Sequence, residues 1–242
     1  MTYGINPVGL AIEGSGSTVL ATDNSLFSSL YRPDVASGAP VQITGAGVGS
    51  PDFALLPNGQ EVLVTSSGIL GSLGNLLRIN LSTLQGAIVT QGNGFAGVVP
   101  ESTGMTALLN ISTSGTVDRV ALDTGDMTVL AQGLNQPWGI VLEDSGESAL
   151  VGSLSGVSRV DLSTGAVSTL TTTGARYLAI KPGRGSAILS VENTGLSRLD
   201  LSTGSVVDLV TGIPVVGKVV VEAADNTALV ATLDGIKRVR IR

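Results

Sequence analysis

The feature that most constrains this 242-residue chain is an internal repeat. The stretch Gly156-Val-Ser-Arg-Val-Asp-Leu-Ser-Thr-Gly165 returns as Gly195-Leu-Ser-Arg-Leu-Asp-Leu-Ser-Thr-Gly204. Looser copies run from Leu77 to Thr83 and from Val117 to Gly125; a degenerate one spans 31–38, and the last runs from Gly235 to Arg242. Six of the ten arginines keep the register: Arg32, Arg78, Arg119, Arg159, Arg198 and Arg238, at spacings of 46, 41, 40, 39 and 40. A period near 40, filled by short apolar runs between turn residues, is the signature of a β-propeller.

Each unit also carries an upstream hairpin. In the fourth it reads Pro137-Trp-Gly-Ile-Val-Leu-Glu-Asp-Ser-Gly146, followed by Ser148-Ala-Leu-Val151. Apolar runs split by Gly, Ser, Asn or Asp read as strands joined by tight turns. Every unit therefore supplies strand A, a hairpin, strand B, a loop, strand C, a Ser-Thr-Gly turn and strand D. The expected fold is all-β: one domain, a six-bladed propeller of four-stranded antiparallel blades over 5–47, 48–94, 95–135, 136–175, 176–214 and 215–242. The last unit stops where its strand C ends. Residues 1–4 are expected to add the missing outer strand and close the ring, leaving no unpaired edge.

Composition narrows the chemistry. Hydrophobic residues make up 43% and aromatics 3%, so small aliphatics must build the core. With neither cysteine nor histidine, disulfides, thiol catalysis and a Ser-His-Asp triad are excluded. The commonest general base and zinc ligand are missing as well. A net charge of −6 repels phosphate backbones, so nucleic acid is not the expected partner. No apolar run is long enough to span a bilayer. The chain reads as a soluble monomer, compatible with secretion or a periplasmic location.

Pro-x-Gly-(aliphatic), an acidic residue with x-x-Gly, and Gly-(aliphatic)-x-Arg-(Val/Leu) together resemble the six-bladed NHL and SMP-30/gluconolactonase-like propellers. The resemblance covers nearly the whole chain and implies architecture more than activity. It also implies calcium- or zinc-dependent hydrolysis, with Glu, Asn or Asp ligands just before the Gly that opens strand A. Aligned to Trp138, those positions read Val8, Asp52, Ala96, Trp138, Arg176 and Gly217. Only Asp52 matches, whereas calcium wants six to eight oxygens. The expectation is no cofactor, with calcium kept open.

The next positions inward read Gly9, Phe53, Gly97, Gly139, Tyr177 and Lys218. Both rings lie on the face that carries the D–A and B–C connections. They place Asp52, Phe53, Trp138, Arg176, Tyr177 and Lys218 around one channel mouth. Such a mouth either binds an anionic or sugar-like ligand or merely plugs the channel. Two long B–C loops on the same face carry Leu26, Phe27, Ile69, Leu70 and Leu73, an apolar interaction surface or a cover for blade edges. The repeated arginines read as structural, pairing at i, i+2 with Asp34, Asn80, Asp161 and Asp200 in a ladder between blades. Glu13, Glu101, Glu143 and Glu222, on the opposite face, read as turn residues.

The functional expectation is a non-catalytic binding or interaction propeller, taking a protein or small polar ligand at the channel mouth. A lactonase-like or strictosidine-synthase-like enzyme with a divergent site, using Asp52, is the alternative. A sugar-binding propeller using Trp138 and Tyr177 is the third reading.

Overall fold

The structure, a computed structural model, describes residues 7–14, 18–23, 29–33, 40–45, 52–66, 73–192, 194–222 and 226–241. Those residues form six antiparallel sheets and no helix, the six-bladed propeller expected of the repeat. Blade four is typical: strand A is Ile140–Leu142, strand B Ser148–Ser153, strand C Gly156–Asp161 and strand D Val167–Thr171, paired in that order. Blades one, two, three and five repeat it. Blade six has Val215–Val221, Thr227–Thr232 and Gly235–Arg240 as three paired strands. The outer strand expected from 1–4 lies outside the described residues.

The core is shared between blades. Strand B is apolar on both faces because a neighbouring blade covers each one. Ala149 and Val151 pack towards blade three, whereas Leu150, on the other side of the pleat, packs towards blade five. Six buried clusters result, one at each blade-to-blade interface. The cluster of Leu10, Val19 and Ala21 with Leu229, Ala231 and Ile236 joins blade one to blade six and closes the ring. With few aromatics, aliphatic burial carries these interfaces, at roughly 1.5–3 kcal/mol for each fully buried large side chain.

Two local devices repeat with the blades. In the C–D turn, Asp161 Oδ1 accepts the backbone and hydroxyl donors of Ser163 and Thr164; Asp200 does the same for Ser202 and Thr203, and Asn80 for Ser82 and Thr83. These bonds hold the exposed Asp161 and Asp200 carboxyls down at about 2. Gly165 ends the turn at φ +72°, and a Cβ there would also run into the Leu130 carbonyl of the preceding blade.

The second device corrects the expected arginine ladder. With Asp161 and Asp200 drawn into their turns, the arginines reach across strand B to a glutamate. Arg32 pairs with Glu13, Arg78 with Glu61, Arg119 with Glu101, Arg159 with Glu143 and Arg238 with Glu222. Each pair is a two-pronged fork, as at Arg159 Nε and Nη2, both 2.7 Å from Glu143. The recurring glutamates are therefore partners of the arginines rather than turn formers. In blade two the carboxylate has moved across the hairpin: Glu61 opens strand B, and Leu56 holds the place of Glu143. Arg119 and Arg159 also donate to Leu162 O (3.5 Å) and Leu201 O (3.0 Å) of the next blade, so the fork fastens neighbours together. Asp34 lies outside the described residues.

Candidate functional site: the channel mouth

Strand A lines the channel, and its opening residues lie too close to their neighbours for most side chains. A Cβ at Gly97 would strike the Trp138 carbonyl, one at Gly139 the Arg176 carbonyl, and one at Gly217 the Val8 carbonyl. Glycine is required there by close backbone approach. Larger residues are confined to a few places in the wall.

The strand register sorts the candidates onto levels of that wall. Gly139 lies opposite Gly152, one step before the Ile140–Val151 pair. Asp52 lies opposite Thr65, one step before the Phe53–Val64 pair. Asp52 therefore shares the level of Gly139, Tyr177 and Lys218, one residue deeper than its alignment with Trp138 implies. Phe53 shifts with it, away from the channel lining and into the fully buried core between blades one and two. A one-residue slip exchanges the two faces of a strand, so both side chains change environment together.

On this level Asp52 is sealed. Its side chain is 1% exposed; Oδ1 accepts from Lys218 Nζ at 2.9 Å, and Oδ2 accepts from Val98 N at 3.2 Å. Lys218 Nζ also donates to Phe53 O at 2.9 Å and lies 5.8 Å from the Phe53 ring centroid. A buried carboxylate satisfied by an ammonium and a backbone amide is a plug inside the wall. The resemblance implies a divalent cation here, and the residues do not fit one. Asp52 is the lone carboxylate of the level, and both of its oxygens are engaged.

The other side of the mouth is open. Trp138 is half-buried, with the Arg176 guanidinium 4.9 Å from its ring centroid. Trp138 Nε1 donates to the Tyr177 hydroxyl at 2.8 Å, which fixes the indole plane. Arg176 Nε lies 3.8 Å from Glu192, and both side chains are exposed to solvent. Tyr177 is buried beneath them. Burial, with the Asp52 charge as a second cause, pushes its phenol well above the ordinary tyrosine value, so it stays neutral. The six candidates thus divide into a sealed set (Asp52, Phe53, Lys218), a support (Tyr177) and an open shelf (Trp138, Arg176). Leu73 is 48% exposed beside blade two. Leu26, Phe27, Ile69 and Leu70 lie outside the described residues.

Four polar residues of the wall escape the sequence pattern. Thr22, Thr65, Asn110 and Ser190 are buried near the inner end of strand B. Thr65 donates to Ala96 O, Asn110 to Trp138 O and Gly139 O, and Ser190 to Gly217 O, each on the next blade. Thr65, Asn110 and Ser190 thereby tie strand B of one blade to strand A of the next, whereas Thr22 accepts from Gly9 N within its own blade. The sequence signal is a polar residue next to the end of, or ending, the apolar run of strand B in four of the six units.

No described protein family and no curated protein matches the sequence. Solved structures match the fold. An auxiliary nutrient binding protein from Bacteroides thetaiotaomicron is similar at a TM-score of 0.78 and 11% identity, over 98% of this chain and 69% of that one. A Bacteroides thetaiotaomicron protein of unknown function gives 0.75 and 14%, over 98% and 70%. A chain of a nidogen/laminin complex gives 0.71 and 17%, over 84% and 78%. At these identities the likeness is one of architecture, and what the chain shares with them is the six-bladed β-propeller fold.

Proposed function

We propose that this propeller is a non-catalytic binding module that captures a small polar ligand, anionic or sugar-like, on the Trp138–Arg176 shelf. The observation that carries this reading is the contrast within the mouth. Asp52, the carboxylate an enzyme would need, is buried with both oxygens occupied, whereas the indole and guanidinium stand partly open and pre-oriented. An aromatic face fixed by a hydrogen bond stacks on the apolar face of a sugar ring, and the guanidinium supplies charge-assisted hydrogen bonds. Neighbours of the same fold include a nutrient binding protein and a chain from a protein–protein complex. The finer relationship to NHL and SMP-30-like propellers belongs to this proposal and rests on the repeated Pro-x-Gly and Gly-(aliphatic)-x-Arg motifs.

Trp138 is the chain's single tryptophan, so its fluorescence reports on this site alone. Titration with a panel of mono- and disaccharides and their carboxylated forms should change the emission of the intact protein for at least one member. Arg176→Ala should weaken that ligand by about ten-fold, as expected for one charge-assisted contact. A panel without any response, or a responding ligand indifferent to both Arg176→Ala and Trp138→Phe, would refute the reading.

A further inference from the structure

On the opposite face, between blades five and six, lies a groove of about 990 Å³ lined by Lys181, Arg184, Arg198 and Arg240. We infer that this groove is an oxyanion-binding site, taking a small hydroxylated ligand that carries two or more phosphate or sulfate groups.

Two reversals of the repeat create it. Lys181 stands where blades one, three, four and six place the carboxylate that forks the arginine; Glu143 is its counterpart in blade four. Arg240 stands where blades four and five place Asp161 and Asp200, one residue before the matching Leu162, Leu201 and Ile241. Arg184 adds a third cation from the A–B turn, at the place of Gly146. Drift would scatter such changes over the ring, but all three face one groove, in a chain of net charge −6.

The geometry explains how Arg198 becomes available. In blades three and four the arginine bonds its glutamate and then the carbonyl of Leu162 or Leu201 on the next blade. In blade five that carbonyl, Ile241 O, accepts instead from Lys181 Nζ at 3.4 Å. Arg198 therefore has no carboxylate partner among the described residues, and both Arg198 and Arg240 are exposed. Among the described residues the lining has one carboxylate, Asp200, and one of its oxygens is committed to four turn donors.

The other described residues of the lining are hydroxyl and amide, Ser186, Thr203, Ser205, Asn226 and Thr227, together with the apolar Val207. Guanidinium forks match the paired oxygens of a phosphate or sulfate, and the hydroxyls match a polyol or sugar carrier. The volume is at the upper end of the roughly 300–1,000 Å³ usual for small-ligand sites, too large for a lone anion.

Calorimetric titration of the intact protein at low salt, with pyrophosphate and with a disulfated disaccharide as probes, tests the site. Saturable binding of pyrophosphate assigns it to phosphoryl groups. Binding of the disulfated disaccharide alone assigns it to sulfate esters. In either case affinity should fall steeply with added salt. It should also fall by about a hundred-fold in the Arg198→Gln, Arg240→Gln double variant, about ten-fold for each guanidinium. Both side chains are exposed, so the variant should keep its melting temperature. Lys181→Glu, which returns the groove to the ordinary blade pattern, should abolish binding. Trp138 emission should not change. Failure of both probes to saturate below millimolar concentration, binding indifferent to the double variant, or binding that quenches Trp138 would each overturn the assignment. The last of these would move the ligand to the channel mouth.

Discussion

Blades four and five occupy equivalent places in the ring, yet their A–B turns have opposite chemistry. Blade four carries Glu143, Asp144 and Glu147. Glu143 holds Arg159 in a fork and also accepts from Ser148 Oγ. Burial pushes its carboxyl up, but the bonds from Arg159 and Ser148 outweigh burial and hold it below the ordinary glutamate value. Blade five carries Lys181 and Arg184 instead, and its Arg198 has no fork among the described residues. The strand order and the C–D turn are the same in both. The pair is therefore a fastener that the fold can surrender at one position, because Lys181 keeps a bond to the next blade. What is released is surface charge, which the fold itself does not use.

The contrast is sharpest in the response to losing the arginine. Arg159→Ala should lower stability by about 2 kcal/mol, because it leaves Glu143, whose side chain is 13% exposed, without its cation. Arg198→Ala should change stability by less than about 0.5 kcal/mol, as for an exposed surface residue. Urea unfolding of both variants measures the difference, and equal losses would break the comparison.

Rebuilding the fork in blade five is a smaller effect. Lys181→Glu should give Arg198 a partner worth up to about 1 kcal/mol. The gain is reduced by loss of the Ile241 bond. A higher melting temperature together with loss of polyanion binding is the expected pair of results. Destabilisation would mean that the Lys181 bond matters more than the fork.

The smallest effect is a control in which the two blades should agree. Asp161 and Asp200 are both held near 2, against an ordinary 3.8, chiefly by the serine hydroxyl that each accepts. A carboxyl depressed on folding adds stability at pH values above 3.8, and that contribution is lost as pH falls through about 2. Asn80 fills the same role in blade two without a charge. Asp161→Asn and Asp200→Asn should therefore each keep the turn and flatten this part of the acid unfolding curve equally, as followed by circular dichroism. Unequal flattening would show that the charge of the groove reaches the turn.

Much of the molecule is legible in its sequence. The arginine spacing carried the blade count, because a repeat that cannot bury its own face must stack against copies of itself. Strand order within a blade followed from the turn residues. The candidates for the channel mouth were also legible, since each opens a strand A. Their depth was not. Blade two pairs one residue away from the motif alignment, and that single step sent Phe53 into the core and Asp52 onto Lys218. Nor were the partners of the arginines. Asp161 is the nearest acid in sequence, but its own turn claims it, whereas Glu143 comes within reach only once strand B lies between strands A and C.

The chain by itself determined six repeated four-strand units, because periodicity is a one-dimensional property and a unit with apolar runs on both sides of its turns must stack on its neighbours. Which charges end sealed, forked or open was decided only in three dimensions. That outcome depends on partners brought across a strand from 16 to 19 residues away for the forks, on neighbours 166 residues away for Asp52 and Lys218, and on single-residue register, which sequence spacing does not encode.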